Sequence, residues 1–266
     1  MIRRTVVFSG PTLSHRDIAA MLPDAICLPP AVQGSVLAAT LEFTPATILL
    51  IDGGFQSEPA VRHNEILWAI SRGIHVAGAA SMGALRAAEL YPYMTGYGLI
   101  YRWYRRWPLA PDDAVAVLHG PAELGFLPLT EAGIDLQLTI KLARRHGILS
   151  HQDANSLTDT LRKLNFRDRL LESCVEHSGL VNSSASREKL IAKLRSLWVP
   201  QKQADARKAL ERLASGRASH PSELLAFEPT QAFISEVRAA GYDPRKVLDF
   251  VPECRSLLQT NNIMIK

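Results

Sequence analysis

A chain of 266 residues with 47% hydrophobic and 21% charged side chains can bury a full core, which excludes a fibrous or disordered protein. Lysine and arginine total 30 against 26 acidic residues, and this net charge of +4 is too small and too dispersed to point to nucleic acid as a partner. Cys27, Cys174 and Cys254 are far apart, odd in number and without metal-ligand spacing, so neither a disulfide framework nor a structural zinc site is expected, and a reducing compartment is. The apolar stretch after Arg4 is shorter than a signal-peptide core, and no apolar run could span a bilayer. A cytoplasmic protein that binds no membrane, metal or cofactor is the expectation.

In chain order, residues 5–8 before Ser9-Gly10-Pro11 read as a buried strand, and residues 14–22 as a helix. Residues 47–51 before Asp52-Gly53-Gly54 read as the next strand, followed by a helix over 58–71 whose apolar face carries Ile66, Leu67, Ala69 and Ile70. A third strand is predicted over 74–77, before Gly78-Ala79-Ala80-Ser81, then a helix over 82–90. Residues 97–107, where aromatics alternate with Arg102, Arg105 and Arg106, suit a partly exposed amphipathic helix that packs or meets a protein partner. Residues 114–118, before His119-Gly120-Pro121, read as a fourth strand. Alternating strands and helices with short links predict an α/β fold, a mostly parallel sheet with flanking helices in the N-terminal half.

The second half changes character: all the lysines fall after residue 140 and helical periodicity takes over. Helices are predicted over 131–146, 150–164, 187–197, 203–214 and 230–240, with Gly147, Gly179 and Gly241 placed to end helices. Residues 179–186 read as a loop, and the last twenty residues as loosely attached. The division expected is an α/β core over 1–128 and an all-helical C-terminal half over 129–266 that packs on or over the site.

Parallel strands share a carboxyl edge, and open α/β sheets place their sites there. Ser9, Asp52, Ser81 and His119 would collect on that edge. Ser81 stands at a strand-to-helix turn among small residues, which resembles a nucleophile elbow with Ala79 where the first glycine would be and Gly83 near the second. The start of the helix would offer the backbone N–H groups of Met82 and Gly83 to an oxyanion. An ordinary helix cap with close helix–sheet packing would use the same residue types. No phosphate-loop pattern occurs, and no lysine in the first half could neutralise a triphosphate.

A serine hydroxyl needs a base. His119 with Asp113 or Asp52 is one option, in a Ser-His-Asp arrangement, although a hydrogen-bonded structural histidine fits as well. A desolvated lysine is the other, and it would have to come from the helical half. Asp52-Gly53-Gly54 suits a turn in which Asp52 caps backbone or meets substrate, and Arg86 and Glu89 are spaced to pair on a helix surface.

With Ile51-Asp52-Gly53-Gly54-Phe55, residues 60–67, residues 78–90 and residues 112–121 in view, the chain resembles the TfuA-like family over about residues 47–145. Weaker similarity continues through residues 161–169 and 201–206. The resemblance implies work beside a YcaO enzyme, which activates a peptide backbone amide with ATP so that sulfur replaces oxygen. It further implies hydrolysis of the C-terminal thiocarboxylate of a small ubiquitin-like sulfur-carrier protein by a Ser-Lys pair, with closer engagement of the precursor peptide by the YcaO partner. Carried over, the nucleophile is Ser81. Lys163 is the base expected, with Lys202 and His119 as alternatives, since position 64, where many relatives have lysine, is Asn64. Gly10, Asp52, Gly53, Gly54, Gly78 and Arg86 are expected to make room for, or hold, a carrier tail. Other readings are a non-catalytic adaptor that joins carrier, peptide and YcaO enzyme, and a Ser-His hydrolase of small esters or amides.

Overall fold

The computed structural model describes residues 4–56, 58–216 and 225–251. Five parallel strands form one sheet in the order β2-β1-β3-β4-β5. They are β1 (Thr5–Phe8), β2 (Ile26–Leu28), β3 (Thr47–Leu50), β4 (His75–Ala79) and β5 (Thr95–Tyr97). Successive side chains on a strand face opposite ways, and the core divides accordingly. Val6, Phe8, Ile48, Leu50 and Val76 join one apolar cluster, whereas Val7, Leu49, Ile51, Ala77 and Ala79 join another.

The first cluster is closed by α2 (Ser35–Phe43), α3 (His63–Ser71) and α4 (Met82–Glu89), the second by α1 (His15–Met21) and by the remote α10 (Gln201–Ala214) through Ala206, Ala209 and Leu210. Helices therefore flank both faces. The helix α5 (Gly98–Arg106) packs on α4 and α10. Its first turn has no cap of its own, and Asp205 of α10 supplies one by accepting the Ile100 N–H at 2.7 Å. A similar long-range cap holds α2: buried Glu65 of α3 accepts the N–H groups of Gly34, Val36 and Leu37.

A satellite core gathers α6 (Gly133–Arg145), α7 (His151–Lys163), α8 (Leu171–His177) and α9 (Ser184–Ser196) around Leu136, Leu157, Leu171, Cys174 and Leu194. Ser150 caps α7, and Gly147, Gly179 and Gly241 adopt positive φ after α6, α8 and α11, as the sequence suggested. The last helices, α11 (Gln231–Ala239) and α12 (Pro244–Asp249), return to the sheet domain, where Phe233 packs on Trp68. The C-terminal half is thus helical but not separate, since α10 covers one sheet face and α11 and α12 join the core on the other.

Three of the four expected strands are present, and the fourth is not. Residues 112–115 form a 3-10 turn, with extended chain and a flap beyond, because Asp113 is clamped by Arg169 rather than laddered to a neighbour. The two remaining strands, β2 and β5, have three residues each and too little apolar pattern to be seen in sequence. The α2 and α8 helices were also not anticipated, and α9 begins inside the segment expected to be a loop. Most of the C-terminal segment expected to be loose, with Cys254, lies outside the described residues.

Candidate active site

The order β2-β1-β3-β4-β5 reverses direction between β1 and β3, and a crevice opens beyond the carboxyl ends of strands at such a point. Ser9 and Gly10 follow β1 there, Asp52 and Gly53 follow β3, and Ser81 follows β4. A cavity of about 590 Å³ lies over this edge, with Asp52, Gly53, Gly54, Ser81, Met82 and His119 in its lining.

The turn that holds Ser81 is tight. Ala80 takes φ of +66°, and the Ser81 N–H donates back to the Ala79 carbonyl at 2.7 Å. A left-handed alanine costs energy, and such strain persists where surrounding packing dictates it. The packing is visible at two glycines. A Cβ on Gly78 would sit 1.9 Å from the Gly83 oxygen, and one on Gly83 would sit 1.8 Å from the Leu50 oxygen. Helix α4 thus lies directly on the strands, and Ser81 is driven to the edge. Gly78 serves this packing rather than lining the cavity. The Gly83 N–H is committed to the Ile51 carbonyl at 3.2 Å, while the Met82 N–H takes no backbone acceptor among the described residues outside α4.

Opposite this turn stands Lys202, in the first turn of α10. Its ammonium nitrogen donates to the Val115 carbonyl at 2.8 Å, and the Ser81 hydroxyl donates to the same carbonyl at 3.4 Å. The lysine is 4% exposed. Burial pulls its pKa below the ordinary lysine value, against the opposing pull of Asp52 and Asp135. Asp52 lies 4.0 Å from the nitrogen, and Asp135 accepts the Lys202 backbone N–H at 3.2 Å. Desolvation also raises Asp135, to about 6, although Lys202 favours its charged form.

Asp52 has a structural task as well. It accepts the N–H groups of Gly10 at 2.9 Å and Thr12 at 3.0 Å and the Thr12 hydroxyl at 2.5 Å, which fixes the β1 loop beside the lysine. The Val115 carbonyl is held from behind. Arg169, buried, donates to the Asp113 carbonyl at 2.8 Å and to its carboxylate at 2.7 Å, and reaches the Leu164 carbonyl at 3.1 Å.

Among the sequence-derived candidates, the structure brings Ser81, Lys202 and Asp52 together. Lys163 instead sits exposed in the last turn of α7, and lines neither the cavity over Ser81 nor the neighbouring one that Lys202 lines. The segment that suggested it contributes Arg169 as its buried cation. His119 reaches the cavity from a flap, its Nδ1 2.8 Å from the Gly120 carbonyl and its ring edge-on to Phe126. Gly10 packs beneath Pro30 and Phe126. Arg86 turns away, donating to the Val61 carbonyl at 2.9 Å and pairing with Glu89 at 2.6 Å. Asn64 meets Glu236. The Val115 carbonyl, Asp135 and Arg169 were not anticipated, and for Asp135 only its place one turn into a predicted helix gave any hint. Among the described residues no cluster could hold a metal, and no helix is long and apolar enough to cross a membrane.

Fold and site together define a doubly wound α/β protein with a serine and a buried lysine converging at the carboxyl edge of its sheet. Residues 52–170 match the family model described as TfuA-like protein, a stretch that includes Asp52, Ser81, Val115, Asp135 and Arg169. Over those residues the chain is similar to the TfuA-like family, which is associated with YcaO thioamidation systems. No curated protein sequence matches the chain.

Proposed function

We propose that this protein hydrolyses the C-terminal thiocarboxylate of a small ubiquitin-like sulfur-carrier protein, with Ser81 as nucleophile and Lys202 as base, and passes sulfide to a YcaO enzyme. The observation that carries this reading is the shared Val115 carbonyl, on which the Ser81 hydroxyl and the Lys202 nitrogen both rest. Burial, which pulls the Lys202 pKa below the ordinary lysine value, makes it easier for that lysine to be neutral and take a proton from a serine beside it.

In the reaction proposed, neutral Lys202 accepts the Ser81 proton as the serine oxygen bonds to the thiocarboxylate carbon. The oxyanion that develops is met by the Met82 N–H. The C–S bond then breaks, and the ammonium of Lys202 returns its proton to the departing sulfur as hydrosulfide. Water, deprotonated by the same lysine, attacks the ester carbon, and Ser81 leaves with the proton. One water is consumed, and the carboxylic acid formed gives its remaining proton to solvent, so that the carrier ends in an ordinary carboxylate. Asp52 and Asp135 support the charged lysine midway through each step, and a glycine-ended carrier tail suits a cavity floored by Gly53 and Gly54.

The test is sulfide release from a thiocarboxylated carrier. Ser81→Ala should lower it by about 10³-fold or more while the variant keeps its melting temperature, and a fluorophosphonate should label Ser81 in the wild type. Undiminished release by the variant overturns the reading. Binding of carrier without turnover by the wild type would assign an adaptor role.

A further inference from the structure

Ten large apolar side chains are exposed among the described residues, and they are not scattered: Tyr91, Tyr93, Leu99, Trp107 and Leu109 fall within one stretch around α5. Leu109 is 99% exposed. Such a cluster on a chain with an ample core marks a contact surface. Leu99, Arg102 and Arg106 lie on one stripe of α5, at i, i+3 and i+7. Arg105 stacks over the Tyr91 ring at 3.7 Å and ties the loop after α4 to that stripe, and Arg106 lies 5.7 Å over Trp107.

The charge of this face has a sign. Arg102, Arg105 and Arg106 are all exposed, and, as for many arginines of the chain, no carboxylate of the described residues comes within 4.0 Å of them, so this face is left positive. Arginines near a helix C-terminus are favoured by the helix dipole, which accounts for their place in α5. The dipole gives no reason for tryptophan, tyrosine and leucine to stand in water beside them. Aromatic and arginine side chains together are the composition of interface hot spots, and guanidinium groups bind carboxylates in pairs of hydrogen bonds.

We infer that the face formed by residues 91–109 docks a carboxylate-bearing protein surface, and that this surface belongs to the YcaO enzyme rather than to the sulfur carrier. The choice of YcaO enzyme rests on the function proposed above. The geometry favours it because the carrier tail must reach Ser81 through the cavity, whose lining includes exposed Leu118, at the start of a flap that also exposes Leu124, Leu127 and Leu129. The two faces are joined by chain: Tyr104 of α5 donates to the Pro111 carbonyl at 3.2 Å, and the 3-10 turn that follows ends at Val115. A partner seated on α5 is thus held close to the place of sulfide release without filling it.

The experiment compares Arg102→Glu/Arg106→Glu with the wild type, using the purified YcaO enzyme as probe in one titration and thiocarboxylated carrier in a separate turnover assay. The expected result is a rise of about tenfold or more in the Kd for the YcaO enzyme. The wild-type Kd should weaken with added salt and that of the variant should barely respond. Sulfide release from carrier alone should stay within twofold. Leu109→Ser, at a side chain that packs on nothing, should also weaken the complex and leaves folding out of the outcome. Wild-type affinity in both variants overturns the inference, and so does a loss confined to carrier turnover, which would seat the carrier here. Failure of the hydrolytic reading would be distinct, since it is scored by Ser81→Ala turnover and not by complex formation.

Discussion

The two walls of the site are built by opposite means. The wall that carries Ser81 is local and made of backbone: strand ladders, the turn at Ala80, and glycines that let α4 touch the strands. The wall that carries Lys202 is assembled from remote pieces through side chains. Arg169 pins the 3-10 turn, Asp135 of α6 holds the first turn of α10, and Asp205 of α10 caps α5. A nucleophile can be placed by a short sequence, because steric exclusion acts between neighbours. A desolvated base requires a whole packed layer around it, because burial is what lowers the pKa of this lysine.

The contrast is open to attack from both sides. The largest effect expected is from Lys202→Met, which keeps the apolar stem and removes the proton acceptor: sulfide release should fall by about 10³-fold. Release near wild type would return the base to another group. On the other wall, Gly83→Ala should destabilise the fold by about 3 kcal/mol, read as a lower denaturant midpoint, since the new methyl group meets the rigid Leu50 backbone. A neutral result would show that α4 can lift from the sheet.

Arg169→Lys keeps the charge but loses the fork that grips Asp113 at two atoms. It should reduce kcat by about tenfold to a hundredfold with little change in KM, as a shift in the Val115 carbonyl misplaces both reacting side chains. An unchanged kcat would mean that the turn holds itself.

The effect of Asp135→Asn is smaller and has a sign. The Asp135 carboxylate favours the charged lysine, so its removal lowers the Lys202 pKa further and should move the rising limb of the rate–pH profile to lower pH. Folding stability should respond too. Asp135 titrates at about 6 when folded and near 3.8 as a free carboxylate, so it binds more protons in the folded state, and its contribution is lost as pH rises through about 6. The asparagine variant should lack that decline in an acid-range stability scan. For Lys202 the folded pKa is depressed, so the unfolded chain binds more protons and stability climbs as pH rises toward the ordinary lysine value. At the small end, Lys163→Ala should change turnover less than twofold, and a larger loss would overturn the exclusion of that exposed residue.

Much of the α/β half was legible because its strands are short apolar runs ended by glycine or serine, a pattern imposed by burial on both faces of a parallel sheet. Residues 114–118 carried the same pattern for a different reason: Val115 and Ala116 are buried against α6 and the cavity wall without any ladder. Apolar runs report burial, not hydrogen-bond partners, so the sequence could not separate the two. The β5 edge strand escaped notice because Thr95-Gly96-Tyr97 has no apolar run at all.

By itself, then, the chain's composition and spacing determined a parallel sheet flanked by helices and a serine at the turn after β4, and left open whether His119 or a lysine of the second half would stand beside it. Which lysine comes near Ser81 was decided only in three dimensions. Lys163 and Lys202 are alike as sequence, each on an amphipathic helix with acidic neighbours, and their difference arises because α10 is drawn onto the sheet face by Ala206, Ala209 and Leu210 while the end of α7 remains in water. Burial is a property of what surrounds a residue, and those surroundings come from remote segments, Val115 lying 87 and Asp135 67 positions away.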